Sequence, residues 1–522
     1  MGGTDDHDLK SNGAAGETPH TISYRDFART PSNSRNDSVD IYGTFDVIVC
    51  GGGTAGVPAA IAAARAGAKT ILIERLGALG GQMTVSGPPG FAYAHMFNNR
   101  GEQIINGFLG ETHDRLLADG HGMPYPPQEL RTGSSFAFID PEWWGLLVYE
   151  MMQENGVRLL LHSLVVDVLK TGNVVKGVVV ENTEGRQAIL GKVVIDATGE
   201  GDIASRAGAP FEHVDKDDPY PLEPPSIAFT MDGIDWNEVL AYAKQHAEEL
   251  AVSSPAIPIP EDMLRQRAQR IRDMQDWREL VPLGSLSFHA ISKDLIDKGD
   301  YHPYGDLGFF FTPREGGVIQ AIFQHSAQVA NCDCISIDEM SYGEVEARRQ
   351  AVITIRAARK NLPGFQNAYV TRTTTELRVR ETRRILGDYQ LRWDDANTGR
   401  KFPDVIGKSA MTMGSRHVAT VDTLGTYACG RTNPPDGGSF DLPYRILVPR
   451  DVENMLVAGK MVSATRECAL RFLPETMETG QAAGVAAAIS VRSGCTPRQL
   501  EDDLSEVQKT LEGQGAILFG TH

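Results

Sequence analysis

The sequence predicts an α/β fold built on a parallel sheet, and three observations predict it. An apolar strand, Phe45-Asp46-Val47-Ile48-Val49-Cys50, runs into Gly51-x-Gly53-x-x-Gly56. An alanine-rich helix follows, Val57 to Ala66. A second strand, Thr70 to Ile73, then ends on an acid, Glu74. Together they form a complete, Rossmann-like βαβ dinucleotide fingerprint. Gly51 permits the tight turn, Gly53 lets the backbone approach a pyrophosphate, and Gly56 lets the helix pack on the strand. The helix N-terminus offers unpaired N–H groups and a partial positive charge to phosphates. Glu74 is placed to accept from the 2′- and 3′-hydroxyls of a ribose and to repel a 2′-phosphate, which argues against NADP. The alternative is a glycine-rich turn of a packed α/β unit.

Composition limits what the chain does. At 522 residues it exceeds one ordinary domain. Hydrophobic content of 41% and charged content of 23% are those of a soluble globular protein. A net charge of −18 and a pI near 5.2 oppose binding to nucleic acid or to an anionic membrane. No apolar run reaches membrane-spanning length, and the N-terminus lacks the basic and apolar regions of a signal peptide. The cytoplasm is therefore the expected compartment. Six cysteines occur without a C-x-x-C, Cys332 and Cys334 being one residue apart. That spacing rules out the usual dithiol redox motif and disfavours an iron–sulfur or structural zinc site, so no metal is expected.

Five segments are expected along the chain. Residues 1–43, rich in Gly, Ser, Asn, Asp and Thr, are read as a flexible tail. Residues 44–210 form the first part of the nucleotide domain. After Glu74, Gly77-Ala78-Leu79-Gly80-Gly81-Gln82-Met83-Thr84 and Gly87-Pro88-Pro89-Gly90 replace the next βαβ unit, which suits a cofactor with a bulky, deeply placed second half. A helix is expected over Pro141 to Asn155. Short strands then follow at Val157–Leu161, Val165–Leu169, Val174–Glu181 and Ala188–Ile195, with turns at Gly172-Asn173 and Glu184-Gly185. They read as a small antiparallel meander returning to the main sheet through Val193 to Gly199.

Residues 211–375 change character, with proline clusters at 219–225 and 255–260, a charged helical stretch from Met263 to Arg278, and β-rich runs at Gly308–Thr312 and Gly317–His325. They read as an inserted α+β substrate or cap domain. Residues 376–495 return to the nucleotide domain through a strand at Asn454–Gly459 and a helix from Pro474 to Val491. Residues 496–522 form a C-terminal extension.

Taken in order, Gly51 to Gly56 with Glu74-Arg75, Ala197-Thr198-Gly199-Glu200-Gly201-Asp202, Arg380-Glu381-Thr382-Arg383-Arg384-Ile385, Asn454 to Gly459 and Gly480-Gln481-Ala482-Ala483-Gly484 resemble the FAD-dependent oxidoreductases of glutathione-reductase type. These are distantly similar to the flavoprotein subunits of fumarate reductase and succinate dehydrogenase. The resemblance covers about residues 44–210 and 375–495 and specifies FAD far more strongly than a substrate. It implies that Gly51, Gly53, Thr54, Ala55 and Gly56 hold the diphosphate, and that Glu74 and Arg75 flank the adenosine ribose. It implies that Gly80, Gly81, Gln82 and Thr84 run along the ribityl chain, and that Val166 gives backbone contacts to adenine. Ala197, Thr198, Gly199 and Asp202 are implied near the diphosphate and ribose, and Gly459 before the turn into the flavin site.

Arg471 matches an arginine at the flavin–substrate junction of the fumarate-reductase-like relatives, although the surrounding motif departs from theirs. Arg466 is a candidate for substrate anchoring, and Glu467 for proton transfer. The alternative for Arg471 is a surface-loop arginine paired with Glu467 or Glu475. His95 lies in the segment implied to approach the ring, which opens a covalent link; a non-covalent FAD is favoured. His289, His302 and His325 are further residues placed to line a cavity, against the reading of ordinary structural histidines. Arg380 to Arg384 reads, by composition alone, as a solvated helix face, whereas the resemblance implies structural support near the cofactor. Ala197-Thr198-Gly199 has the alternative of an ordinary strand exit. Gly199-x-Gly201-x-x-Ala204 mimics a second fingerprint, but no acid-terminated strand follows it.

The function these residues point to is an FAD-dependent oxidoreductase acting on a small organic substrate by hydride transfer at flavin N5. The electron donor or acceptor is left open, as is the oligomeric state, a homo-oligomer among the options. An alternative is a flavoprotein using FAD structurally or for a non-redox isomerisation or hydration, and a binding protein stands third.

Overall fold

The computed structural model describes residues 39–522 apart from 88–92, 127, 129–130, 132–134, 215–221, 252–260, 412, 417–426 and 469. Most of the expected N-terminal tail, Pro88 to Gly90, most of the two proline clusters and Ala469 therefore lie outside the described residues.

Strand β1 (Asp40–Cys50) opens inside the segment expected to be tail. Its first residues are exposed and its last four are buried, so its sequence becomes apolar only where the sheet closes over it. Helix α1 (Gly56–Arg65) follows, and its first eight residues are buried. Strand β2 (Thr70–Ile73) lies parallel to β1, pairing Val47 with Thr70 and Cys50 with Ile73. Helices α2 (Phe108–Ala118) and α3 (Pro141–Glu154) come next. Pro141 fits the first turn of α3 because its missing N–H has no intrahelical acceptor there, and the Asp140 side chain caps that turn by accepting from Glu142 N.

Strand β3 (Arg158–Leu160) corrects one expectation. It pairs parallel with β2 at the sheet edge and is no part of the meander. The meander is β4 (Leu164–Thr171), β5 (Val174–Asn182) and β6 (Gly185–Asp196), all antiparallel. β6 is long enough to leave the meander and lie beside β1, giving the sheet order β3-β2-β1-β6-β5-β4. Helix α4 (Asp202–Ala207) leaves the end of β6.

Residues from the expected insertion make a second sheet from β7 (Phe229–Asp232), β8 (Ser285–Leu286), β9 (Phe309–Pro313), β10 (Ile319–Phe323) and β11 (Tyr369–Thr373). Its order is β8-β9-β10-β7-β11, every pair antiparallel. Phe229, Phe309, Phe311, Phe323 and Phe365 are fully buried in a core of their own there. The charged stretch expected as one helix to Arg278 stops at Asp273, and a 3-10 turn from Trp277 to Leu283 replaces its end. Helix α5 (Ile337–Asn361) runs for 25 residues with Ser336 capping it.

The chain then returns to the first sheet, where β12 (Met455–Val457) pairs parallel with β6. Helix α6 (Leu473–Ser493) closes the core, with every residue from Pro474 to Ser490 buried. It crosses α1 so closely that a Cβ on Gly480 or Gly484 would collide with the carbonyl oxygens of Ala55 and Ala59. Ile41–His522 form one compact unit. Among the described residues, no helix is long and apolar enough to cross a membrane, and no group of three or more His, Cys, Asp or Glu is placed to hold a metal.

Candidate flavin site

The three glycines of the fingerprint do different jobs. Gly51 has φ +100°, and a Cβ on it would sit 2.5 Å from the Ala197 carbonyl oxygen. Gly56 has no space either, because its Cβ would strike the Gly51 carbonyl oxygen. Gly53 is different: the nearest atom to its Cβ position is Gly81 Cα, 3.9 Å away. Protein fills the space beside Gly51 and Gly56 and leaves it open beside Gly53. No side chain caps α1 and no acid lies in its first turn, so its N-terminal N–H groups keep their attraction for an anion.

Glu74 refines the expected ribose contact. Its carboxylate accepts from Gly52 N at 2.7 Å and from Leu76 N at 2.9 Å, and so braces the turn. Burial raises its pKa, with the two N–H bonds acting against that rise. Each oxygen keeps a further lone pair for a ribose hydroxyl. Arg75 beside it pairs with Glu376.

The glycine loop after β2 packs on the turn. Gly80 N donates to Gly52 O at 2.7 Å, and Gly81 stands so close that its Cβ would be 3.0 Å from Gly53 Cα. Thr84 Oγ1 closes the loop onto Leu79 O, and Gln82 Nε2 reaches Val379 O at 2.7 Å. On β4, Val166 sits where the register slips between Val165 and Asp167. A residue at such a bulge has backbone groups left out of the ladder, which is what a backbone contact to a ligand requires.

The strand exit at Ala197-Thr198-Gly199 is held by a residue the sequence reading missed. Asp196, fully buried, accepts from Thr198 N (3.1 Å), Thr198 Oγ1 (2.7 Å), Ile203 N (2.9 Å) and Ala204 N (2.7 Å). Its signal was an acid closing the apolar run Val193-Val194-Ile195. Asp202 pairs with Arg383 at 2.9 Å. After β12, Gly459 turns at φ +95° and donates to Thr479 Oγ1 at 3.1 Å. Thr476 Oγ1, in the first turn of α6, donates to Thr54 Oγ1 at 3.1 Å. Gly199-x-Gly201-x-x-Ala204 opens only the six-residue α4, and the chain then enters a two-residue strand, Phe211–Glu212, paired with Arg384–Ile385.

The candidate catalytic residues divide. Arg471 is no surface arginine and pairs with neither Glu467 nor Glu475. Its side chain is 12% exposed and grips Glu223 through Nε and Nη2, each at 3.0 Å. Arg466 is bidentate on Glu381, at 2.7 and 3.0 Å. Glu467 is partly exposed in a short 3-10 turn, Arg466–Cys468. His95 has φ +69°, and its ring meets Phe472, the residue before α6, at 4.7 Å. The solvated-helix reading of Arg380 to Arg384 is overturned: the segment forms no helix, Arg384 opens a two-residue strand, and Arg380, Thr382 and Arg384 are buried. Those arginines stay because they have partners, Arg384 taking Glu381 and Glu212 at 3.3 Å.

His302 belongs to the second core, bonded to Thr354 Oγ1 at 3.0 Å and pushed down to about 4 by burial. His325 is held well below the usual imidazole range by burial and then by Arg380, Arg378 and Arg471. Glu475, in the first turn of α6, accepts from Ser409 Oγ at 2.8 Å and is pushed up to about 7 by burial.

The open side of Gly53, the uncapped α1 and the loops of Gly80–Thr84, Ala197–Gly199 and Gly459 fit a flavin dinucleotide. Among solved structures, the chain is similar to a geranylgeranyl bacteriochlorophyll reductase-like protein from Thermoplasma acidophilum, at 13% identity over 90% of this chain and 83% of that one, TM-score 0.43. It is similar to p-nitrophenol 4-monooxygenase PnpA from Pseudomonas putida DLL-E4, at 11% identity over 91% and 88%, TM-score 0.42. It is also similar to the flavin-dependent brominase Bmp2, at 12% identity over 90% and 84%, TM-score 0.41. A family model described as FAD dependent oxidoreductase matches residues 46–511. The chain thus belongs to the FAD-dependent oxidoreductase family, and FAD is its cofactor.

Proposed function

We propose that this enzyme oxidises or reduces a small organic substrate, with FAD held non-covalently between the N-termini of α1 and α6. The observation that carries this reading is the open side of Gly53 between two glycines whose sides are filled. Gly51, Gly53, Thr54, Ala55 and Gly56 would hold the diphosphate, with Ala197, Thr198, Gly199, Asp202 and Gly459 around it. Glu74 and Arg75 would take the ribose, Val166 the adenine, and Gly80, Gly81, Gln82 and Thr84 the ribityl chain. Residues 211–375 are assigned as the cap over the substrate, with 44–210 and 376–495 as the FAD-binding part.

When bound, FAD supplies hydride transfer at flavin N5. The protein's own groups supply the electrostatics. The N-terminus of α6 has no side-chain cap and favours negative charge on whatever it faces. Glu475 in its first turn, neutral below about pH 7, leaves that positive end unopposed. Arg471 and Arg466, fixed by Glu223 and Glu381, present oriented donors on the substrate side, with Glu467 the candidate for proton transfer and His95, beside Phe472, placed toward the ring.

The test is the visible spectrum of the purified protein followed by anaerobic photoreduction. A bound yellow flavin that bleaches on reduction and recovers with an oxidant is expected. A flavin that resists reduction, or turnover with no change in its oxidation state, would remove the redox reading.

A further inference from the structure

Helix α5 lies on the second core by one face only, where Gly343, Ala347, Ala351, Ala357 and Ala358 are buried. Its other face carries Ile337, Tyr342, Val345 and Val352, all exposed. Ile337, at 73%, and Val345, at 71%, are the two most exposed large apolar residues among those described. Ile337, Val345 and Val352 are spaced so that they fall on one line along the helix. A single exposed apolar side chain is ordinary. Three β-branched ones on one line are not, because their stiff side chains lower helix propensity and gain nothing from water. They call for a cover.

Charge says which cover fits. From Ile337 to Glu346 the helix holds Asp338, Glu339, Glu344 and Glu346 and no base. From Ala347 to Asn361 it holds Arg348, Arg349, Arg356, Arg359 and Lys360 and no acid. This polarity suits the helix's own dipole, and in the middle it is satisfied within the helix. Arg348 pairs there with Glu344, and Arg349 with Glu346 at 2.7 Å. The ends differ: Asp338, Arg356 and Lys360 are exposed and without a partner among the described residues.

A second α5 laid in the same direction would set acid on acid and base on base. Laid in the opposite direction, it sets each acidic end on a basic one, and the arrangement closes on itself about a twofold axis. With that axis between Arg348 and Arg349, Val345 of each copy meets Val352 of the other. Asp338 of each then comes within a turn of the other's Arg356. Arg348 and Arg349, at the axis, bring their own acids and do not repel strongly.

We propose that α5 is a self-association surface, through which two copies of this chain pair antiparallel, Val345 on Val352 and acidic end on basic end. The helix is about 37 Å long, so a strip about 10 Å wide gives roughly 400 Å² per copy. Exposed Tyr369 extends the strip beside the basic end, where Arg359 Nε donates to Ala368 O at 2.6 Å. A standard interface takes about 800 Å² per partner, so the dimer is a reversible one. Salt weakens it, because the charges at its ends are exposed.

Sedimentation equilibrium of the full-length holoprotein at low salt, from about 1 to about 100 μM, tests this. The mass is expected to rise from 56.8 kDa toward twice that value with concentration. Val345→Asp is expected to weaken association about tenfold or more. Asp338→Arg and Arg356→Glu should each weaken it, and the two together should restore it, with unchanged circular dichroism throughout. A wild-type chain that stays monomeric over the whole range leaves the face to the N-terminal segment or to another protein and overturns the proposal. So does a dimer indifferent to Val345→Asp, or a double charge reversal no better than either single one. The wild-type mass needs no variant, so a variant that fails to fold does not decide the matter.

Discussion

Arg471 and Glu223 are the residues whose chemistry is most exposed to experiment. They form a bidentate pair with both side chains nearly buried, so each neutralises the other. Removing Glu223 leaves Arg471 buried and uncompensated, which costs about 3–5 kcal/mol in comparable pairs. The electrostatic consequence has a sign. Glu223 also faces Arg378 and Arg380, so Arg471→Gln removes one positive charge near the flavin and lowers its reduction potential, Glu223→Gln removes the carboxylate and raises it, and the double variant returns toward wild type. Dye-equilibration measurements of the potential check this, and equal shifts of the same sign in both single variants would contradict the placement. The partner of Arg471 was not legible in the sequence. Glu223 is 248 positions away, and composition offered only the nearby Glu467 and Glu475.

At the scale of the element, helix α6 holds two buried acids, Glu475 and Glu478, facing Ser409, Lys408 and Asp441. Glu475 has its pKa pushed up to about 7, so the fold prefers it protonated. Its stabilising contribution is fully present below the unfolded value near 4.5 and is lost as pH rises through about 7. The interval between those values corresponds to about 3 kcal/mol. Glu475→Gln keeps an acceptor for Ser409 Oγ and removes the titration. Relative to wild type, the variant is therefore expected to gain stability between pH 5 and pH 8 in urea unfolding. An unchanged difference between the two pH values would show that Glu475 is ionised in the fold throughout.

Helix α6 and the βαβ unit were legible because small and apolar residues repeat at the right spacing over their whole lengths. β3 was misplaced because Val157 to Leu161 is a short apolar run, and alternation does not say which neighbour a strand takes. Composition alone gave Arg380 to Arg384 as a solvated face, since its burial depends on Glu212, Glu223 and Glu381, which only the fold brings near.

At the scale of the whole molecule there are two hydrophobic cores, and the residues flanking the nucleotide turn belong to the first. The glycines of that turn have fixed steric jobs. The structure adds that these jobs are unequal. A side chain at Gly56 would break the packing of α1, whereas a side chain at Gly53 projects into space that protein leaves open. Gly53→Val separates binding from folding for that reason. Purified wild-type protein is expected to carry stoichiometric FAD, released into the supernatant on acid precipitation, while Gly53→Val keeps the wild-type circular dichroism and is colourless. A folded Gly53→Val that retains stoichiometric FAD would contradict the account.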